Sequence, residues 1–290
     1  MSPQRKRFVF PLLVALMVAS AALLWMAAPA AAQGGCTTTV TVTANDQGDN
    51  LRAALSDPAN LGGIICFTPA TSWPLTITLG SQLDIGQDVT IQGPGAKQLA
   101  VSGNDTVRVF AVGDTATVTI QGLTIMRGMA EEGAGILNNG VLTVTESMLI
   151  RNGSSDIGTW ITGGAIAHVG HVSNQLTVLN STIAWNSAYQ GGGIYAFPWH
   201  NNGEYDAAPV LIANSTIYSN TARDYGSGIY LQKAGLMLIN STVSHNDWDG
   251  IDLYTWEFND SHLINSIVAN HVSDVTYHPG NNVVASNTLW

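Results

Sequence analysis

The sequence is poor in charged residues, and it is poorest in basic ones. Charged side chains make up 10% of the 290 residues, with 10 Lys and Arg against 20 Asp and Glu. Globular domains usually carry about a quarter of charged residues. The formal net charge of −10 disfavours nucleic acid and anionic membrane surfaces as partners. We therefore expect no nucleic acid partner, and contact with a membrane only through secretion or an anchor.

The first 32 residues have the layout of a secretory signal. Three basic residues, 5–7, precede an apolar run from Phe8 to Met26, and Ala30-Ala31-Ala32 closes the segment. This layout predicts a signal peptide over residues 1–32, cleaved after Ala32, and a secreted or cell-surface protein. An uncleaved membrane anchor is the alternative, because the apolar run is near the length that a bilayer requires. Cleavage would leave residues 33–290 with a formal charge of −13.

Cysteine is almost absent, and both copies lie near the start of the predicted mature chain. Because an exported protein meets an oxidising compartment, Cys36 and Cys66 are expected to form a disulfide. Two cysteines without a neighbouring His make a poor zinc site. Between them a short helix is predicted, with Leu51 among its apolar residues. Residues 33–67 are therefore predicted to be an N-terminal cap.

A short repeat organises the rest of the chain. Asn180-Ser181-Thr182-Ile183 returns at residues 214–217 and 240–243, and weaker copies begin at residues 122, 146 and 265. The steps between first positions are 24, 34, 34, 26 and 25 residues. After each copy comes a Gly-rich strand such as Gly191-Gly192-Gly193-Ile194. Three short strands and three turns per repeat predict a parallel β-helix over residues 68–290.

The repeated asparagines are predicted to form turns. Asn tolerates the left-handed backbone conformation, and Gly122 would adopt it freely in an earlier repeat. Stacked side chains of Asn180, Asn214 and Asn240 would then hydrogen-bond along a ladder inside the wall. The same three residues match the Asn-x-Ser/Thr glycosylation pattern, but the structural interpretation is favoured because Ser and Thr are good turn and strand residues.

The repeats resemble those of polymorphic outer membrane proteins, which belong to the right-handed parallel β-helix proteins of the pectin-lyase-like fold. Those repeats pair a Gly-Gly-Ala-Ile strand with a Phe-x-x-Asn strand. Gly163 to Ile166 matches the first; residues 149–152, 183–186, 217–220 and 243–246 match the second with an aliphatic residue in place of Phe. The resemblance implies an all-β, right-handed parallel β-helix with a short capping helix, at the cell surface or outer membrane and adhesin-like. It implies no catalytic residues.

Aromatic residues are predicted on the outer face of the Gly-rich strands. Because strand residues alternate between faces, Tyr195, Tyr230 and Asp252 should form one outward column. Phe197 and Tyr254 should lie in a second column, with Trp199, Trp248 and Trp256 in nearby loops. Aromatic faces beside acidic groups suit sugar rings, so this surface is a predicted glycan-binding site. The alternative is that these aromatics only cover the wall beneath long loops.

The densest acidic cluster lies at the same place. Asp247, Asp249 and Asp252 are close in sequence, and Asp224 is expected on the neighbouring turn beside Arg223. Such carboxylates suit Ca²⁺, with a solvated acidic loop as the alternative. The four Asp residues and Arg223 are also weak candidates for catalysis by a polysaccharide lyase or glycoside hydrolase.

Taken together, the sequence predicts a secreted or cell-surface β-helix protein with an adhesin-like binding or structural role, and glycans as the favoured ligand. A polysaccharide lyase or hydrolase of the pectin-lyase-like fold is the first alternative, and a purely structural stalk is the second. No cofactor is expected beyond the Ca²⁺ that the acidic cluster would suit.

Overall fold

Three short strands recur in each repeat, and successive repeats stack so that equivalent strands pair in parallel. The computed structural model describes residues 35–154, 160–170, 174–197, 209–254, 260–277 and 282–290. Within them the chain winds through about eight turns of a parallel β-helix with three long sheets. The predicted all-β, right-handed parallel β-helix with one short helix is confirmed. The predicted signal peptide lies outside the described residues.

Strands are numbered in chain order. Each turn contributes one strand to each long sheet, and sheet A has β1 and β28 in addition at its two ends. Sheet A has ten strands: β1 (Thr38–Val42), β2 (Gly63–Pro69), β5 (Val89–Gln92), β8 (Thr117–Gln121), β11 (Val141–Thr145), β14 (Gln175–Leu179), β18 (Val210–Ala213), β22 (Leu236–Ile239), β25 (Asp260–Ile264) and β28 (Asn282–Ser286). Sheet B has eight: β3 (Leu75–Thr78), β6 (Leu99–Ser102), β9 (Thr124–Met126), β12 (Met148–Ile150), β15 (Thr182–Ala184), β19 (Thr216–Tyr218), β23 (Thr242–Ser244) and β26 (Ile267–Ala269). Sheet C has eight: β4 (Leu83–Ile85), β7 (Phe110–Val112), β10 (Ile136–Asn138), β13 (Ile166–His168), β17 (Ile194–Ala196), β21 (Ile229–Gln232), β24 (Asp249–Tyr254) and β27 (Ser273–Tyr277). A small sheet D pairs β16 (Ser187–Gln190) with β20 (Thr221–Tyr225).

The core consists of aliphatic columns that run along the axis of the solenoid. In sheet C, Ile166 pairs with Ile194, Ile194 with Ile229 and Ile229 with Ile251, and all four side chains are fully buried. Burial of one such side chain contributes about 1.5–3 kcal/mol. Because each turn can cover its apolar face only with its neighbours, the stack is stable as a whole and not turn by turn.

The repeated asparagines form the turn from sheet A to sheet B, as predicted, but their side chains point outward and not into the wall. Asn180, Asn214 and Asn240 have left-handed φ angles of 48°, 50° and 48°. Asn180 and Asn214 are exposed, so the prediction that this ladder lies inside the wall was wrong. The following serine is buried instead: the backbone N–H of Ser181 donates to Oγ of Ser215 at 3.2 Å. A left-handed residue turns the chain, and the next side chain points inward.

The turn after sheet B holds the buried asparagine ladder. Here the left-handed residue is variable, and in four turns the residue after it is the Asn of the second motif; Gly128 and His271 take that place in the turns on either side. Each Asn Nδ2 donates to a strand carbonyl, and the first three also donate to the Oδ1 of the next Asn at 2.9–3.0 Å, whereas the last contacts Nε2 of His271 at 3.1 Å. The ladder residues are Asn152, Asn186, Asn220 and Asn246. Because every amide is bonded, the ladder carries little of the cost of burying polar groups.

Most of the glycines predicted to lie in a strand instead form the bend just before a sheet C strand, and they are required because this ladder packs against them. A Cβ added at Gly228 would lie 2.3 Å from the carbonyl oxygen of Gly250 and 3.0 Å from Nδ2 of Asn246. At Gly135 an added Cβ would lie 2.5 Å from the carbonyl oxygen of Ala165 and 3.2 Å from the Asn152 amide. The two halves of the repeat motif are therefore coupled, because glycine is needed where the buried Asn side chain packs against the backbone of the same turn.

The N-terminal turns are covered by the predicted helix, α1 (Asp49–Ser56), and a short 3₁₀ helix (Pro58–Asn60). Leu51, Ala54 and Leu55 of α1 are buried against the first turns, and Cys36 and Cys66 form a disulfide. Neither described helix has the length and apolar content to cross a bilayer.

Candidate functional site

The outer face of sheet C is the surface where the sequence analysis placed its site, and the predicted register is confirmed there. Tyr195 pairs with Tyr230, Tyr230 pairs with Asp252, and the two Tyr ring centroids are 5.8 Å apart. Tyr195 is 9% exposed and Tyr230 only 2%. They pack with Ala167 and Val169 in a small apolar cluster, separate from the core, against which Phe197 and Tyr254 also pack.

A third tyrosine covers this cluster and reaches solvent. Tyr225, at the end of β20, stacks on Tyr230 with ring centroids 5.6 Å apart and an angle of 24° between the ring planes. Its side chain is exposed, in contrast to those of Tyr195 and Tyr230. Tyr225, which lies outside the column, is therefore the ring at this place that a ligand could meet. The predicted aromatic column is present, but its ring faces are covered by protein.

Three carboxylates lie beside these rings. Asp252 follows Tyr230 in the outward column and is 1% exposed. Asp249 precedes it in β24 and accepts a hydrogen bond from Thr276 Oγ1 at 3.0 Å; Thr276 is the register partner of Asp252 on the next strand. Asp224 accepts a hydrogen bond from Gln190 Nε2 at 3.2 Å. The site thus gathers carboxylates from two neighbouring turns.

The electrostatics of the site show that these groups act on one another. Burial, and then the charges of Asp249 and Asp224, raise the pKa of Asp252 to about 7. The charge of Asp224 is the main cause of the raised pKa of Tyr225. The pKa of Tyr230 is raised by burial and, to a smaller extent, by the charge of Asp252. At neutral pH Asp252 is therefore partly protonated, whereas a solvated carboxyl would be ionised. We call Asp224, Tyr225, Tyr230, Asp249 and Asp252 the acidic aromatic face.

A pair of rings extends this face toward the N-terminal turns. Trp160 is 70% exposed, and its ring centroid lies 4.3 Å from that of Tyr189 in β16. The guanidinium of Arg223 lies 5.9 Å from the centre of the Tyr189 ring, within range of a cation–π contact. Thr162, Gln190 and Tyr225 are register partners on three successive turns, so Trp160, Tyr189 and Tyr225 follow one another along the solenoid axis.

Similarity searches against protein-family models, curated proteins and solved structures found no match. The function of the site is therefore inferred from its own geometry.

Several residues predicted for the site lie at its margin. Asp247 and Trp248 are exposed, and the charges that act on Asp252 are those of Asp249 and Asp224. Arg223 is exposed and its guanidinium lies over Tyr189. Among the described residues no group of three or more His, Cys, Asp or Glu side chains could hold a metal ion. The calcium site remains a prediction without geometric support, and Trp199 and Trp256 lie outside the described residues.

The sequence analysis missed Trp160, Tyr189 and Tyr225. The signal for two of them is their distance from the buried ladder. Tyr189 and Arg223 each lie three residues after a ladder Asn, and Tyr225 ends the same short strand as Arg223. Counting from the ladder would have placed Tyr189 beside Arg223, as the structure does. No repeat position predicts Trp160, because the number of residues between the ladder Asn and the following glycines differs from repeat to repeat.

Proposed function

We propose that the protein is an exported β-helix protein that binds carbohydrate at the acidic aromatic face and the Trp160–Tyr189 pair beside it. The observation that carries the proposal is the row of Trp160, Tyr189 and Tyr225 on successive turns, next to three carboxylates. Aromatic faces pack against the apolar faces of sugars, while carboxylates accept hydrogen bonds from hydroxyl groups. Turns of a β-helix are about 4.8 Å apart, so the row suits a polymer lying along the axis.

The first test is a screen of the purified protein on an array of neutral, acidic and amino polysaccharides. Reducing ends and unsaturated products are measured on the same samples. The proposal expects saturable binding to at least one polymer, and competition by the soluble form of that polymer. Absence of binding across the array contradicts it.

The export part of the proposal rests on the signal layout of residues 1–32. The adhesin-like, cell-surface role rests on the resemblance of the repeats to those of polymorphic outer membrane proteins. Its test is fractionation of cells that express the full chain, with N-terminal sequencing of the product. A surface or medium fraction that begins at Gln33 supports the proposal. A full-length product confined to the cytoplasm contradicts it.

A second candidate function is hydrolysis of a polysaccharide, and the state of Asp252 favours it. A carboxyl that holds a proton near neutral pH is suited to protonate a glycosidic oxygen, and Asp249 or Asp224 could act as the ionised partner. Because Asp252 is 1% exposed, this candidate also requires a movement that exposes Asp252 to the bound sugar. This candidate predicts release of reducing ends that Asp252→Asn abolishes while binding persists. Binding without release in the wild-type protein rejects it and leaves the binding proposal standing.

A further inference from the structure

Two carboxylates of the acidic aromatic face, Asp224 and Asp249, have neutral hydrogen-bond partners. Asp224 and Asp249 accept their hydrogen bonds from neutral groups, Gln190 and Thr276. Two ion pairs are found in the described part of the chain, Arg127 with Asp105 and His271 with Asp274, and neither involves these carboxylates. The face therefore presents negative charge that these hydrogen bonds do not neutralise.

The same negative potential reaches several groups along the face. It contributes to the raised pKa values of Asp252, Tyr225 and Tyr230. On an earlier turn, burial and then the charge of Glu132 raise the pKa of Tyr195 to about 12. Burial near like charges disfavours a further anion at this position. A uronate polymer would bring one carboxylate per sugar into this potential, so acidic polysaccharides are disfavoured as ligands.

A cation on the ligand would be favoured by two kinds of group at once. An ammonium is attracted by the carboxylates and also by the faces of aromatic rings, and Tyr225 is exposed beside both Asp224 and Tyr230. The guanidinium of Arg223 lies over the Tyr189 ring, the next ring of the row. The Tyr225 end is thus acidic and aromatic together.

We propose that the acidic aromatic face binds polysaccharides whose sugars carry free amino groups, with the ammonium held between Tyr225 and the carboxylate of Asp224. This inference rests on the carbohydrate-binding function proposed above, and it specifies the class of sugar. A structural role for the aspartates alone would give no preference between a free and an acetylated amine.

The test compares three oligosaccharides of equal length by isothermal titration of the full-length protein at pH 6. They are a glucosamine hexamer, an N-acetylglucosamine hexamer and a galacturonate hexamer, the last with and without Ca²⁺. The glucosamine hexamer should bind about tenfold or more tightly than the acetylated one, and its advantage should shrink at high salt. Asp224→Asn should remove most of the advantage, whereas Asp247→Asn, at an exposed position on the next turn, should keep it.

The outcomes distinguish failure of the amine preference from failure of the proposed carbohydrate binding. Equal affinity for the free and acetylated hexamers overturns the amine preference while carbohydrate binding stands. Preference for galacturonate with Ca²⁺ also overturns it and indicates a metal-bridged site. Absence of binding by all three hexamers overturns the inference, and the proposed function falls as well only if the wider array is negative. Circular dichroism and thermal unfolding of each variant exclude misfolding as the cause of a lost preference.

Discussion

Asn246 donates a hydrogen bond from Nδ2 to Nε2 of His271 across 3.1 Å, and this contact ends the buried asparagine ladder. Because the Asn nitrogen can only donate, Nε2 of His271 must be the acceptor, so the ring proton lies on Nδ1. Nδ1 faces Asp274 Oδ1 at 2.8 Å. From Asn152 to His271 every side chain therefore donates in the same direction along the ladder. This direction fixes the tautomer of His271.

The ladder should be a main source of stability. Asn220→Ala removes two donated and two accepted hydrogen bonds and leaves their buried partners unsatisfied. We expect a loss of about 2–4 kcal/mol in the free energy of unfolding, measured by urea denaturation. Asn214→Gly is the control, because Asn214 is exposed and glycine keeps its left-handed φ. A control that destabilises as much as Asn220→Ala would contradict this assignment.

Gly228, which packs against the ladder just before β21, should not tolerate a side chain. In Gly228→Ala the new Cβ would lie 2.3 Å from the Gly250 carbonyl oxygen, so the two turns must separate. We expect a loss of about 2 kcal/mol or more by thermal or urea unfolding. Gly80→Ala is the matched control, because nothing lies within 4 Å of its added Cβ. Equal midpoints for the two variants would show that the stack adapts freely at Gly228.

His168 should make stability fall with falling pH. Burial lowers the pKa of His168 to about 4, although Asn138 contacts its Nδ1 at 2.9 Å. The unfolded chain then takes up this proton first, near pH 6.5, so stability is full above that pH and declines toward pH 4. The decline should reach about 3 kcal/mol. It is measured as the pH dependence of the stability difference between wild type and His168→Gln, and a difference independent of pH would contradict it.

Asp252 should make stability rise as the pH falls, the opposite of the effect of His168. Its pKa is raised to about 7, so the folded state takes up the proton first, and the penalty for burying the charge is complete above pH 7. That penalty disappears as the pH falls toward 3.8, the ordinary value for Asp. Asp252→Asn should therefore stabilise the protein by about 2–4 kcal/mol at pH 8 and have little effect at pH 4. Asp247→Asn is the exposed control, and equal effects of the two variants at pH 8 would refute the assignment.

Much of the architecture could be predicted from the sequence, because it depends on periodicity. The repeat of Asn-Ser-Thr gave the turns, and the Gly-rich strands gave the register that brings Tyr195, Tyr230 and Asp252 into one column. Period-two alternation shows that a side chain points outward from the sheet. It does not show whether another segment covers that side chain.

The orientation of the two asparagine series could not be predicted for a related reason. Asn180 and Asn186 recur at the same steps in neighbouring repeats, so spacing does not distinguish them. The difference lies in the backbone: Asn180 is itself left-handed and points outward, whereas Asn186 follows the left-handed Trp185 and points inward. The exposed ring of Tyr225 was missed because its contact with Tyr230 joins two strands that do not pair with each other.

The most direct test of the central claim is calorimetric titration of wild type, Trp160→Ala, Tyr225→Ala and Trp290→Ala with the polysaccharide that binds most tightly on the array. Trp290 is an exposed tryptophan beside Leu289, five turns from the turn of Trp160, so it is a control matched in residue type. If the acidic aromatic face and the adjoining ring pair bind carbohydrate, Trp160→Ala and Tyr225→Ala should each weaken binding about tenfold or more, and Trp290→Ala should leave it unchanged. Equal affinity of all four proteins would contradict the claim.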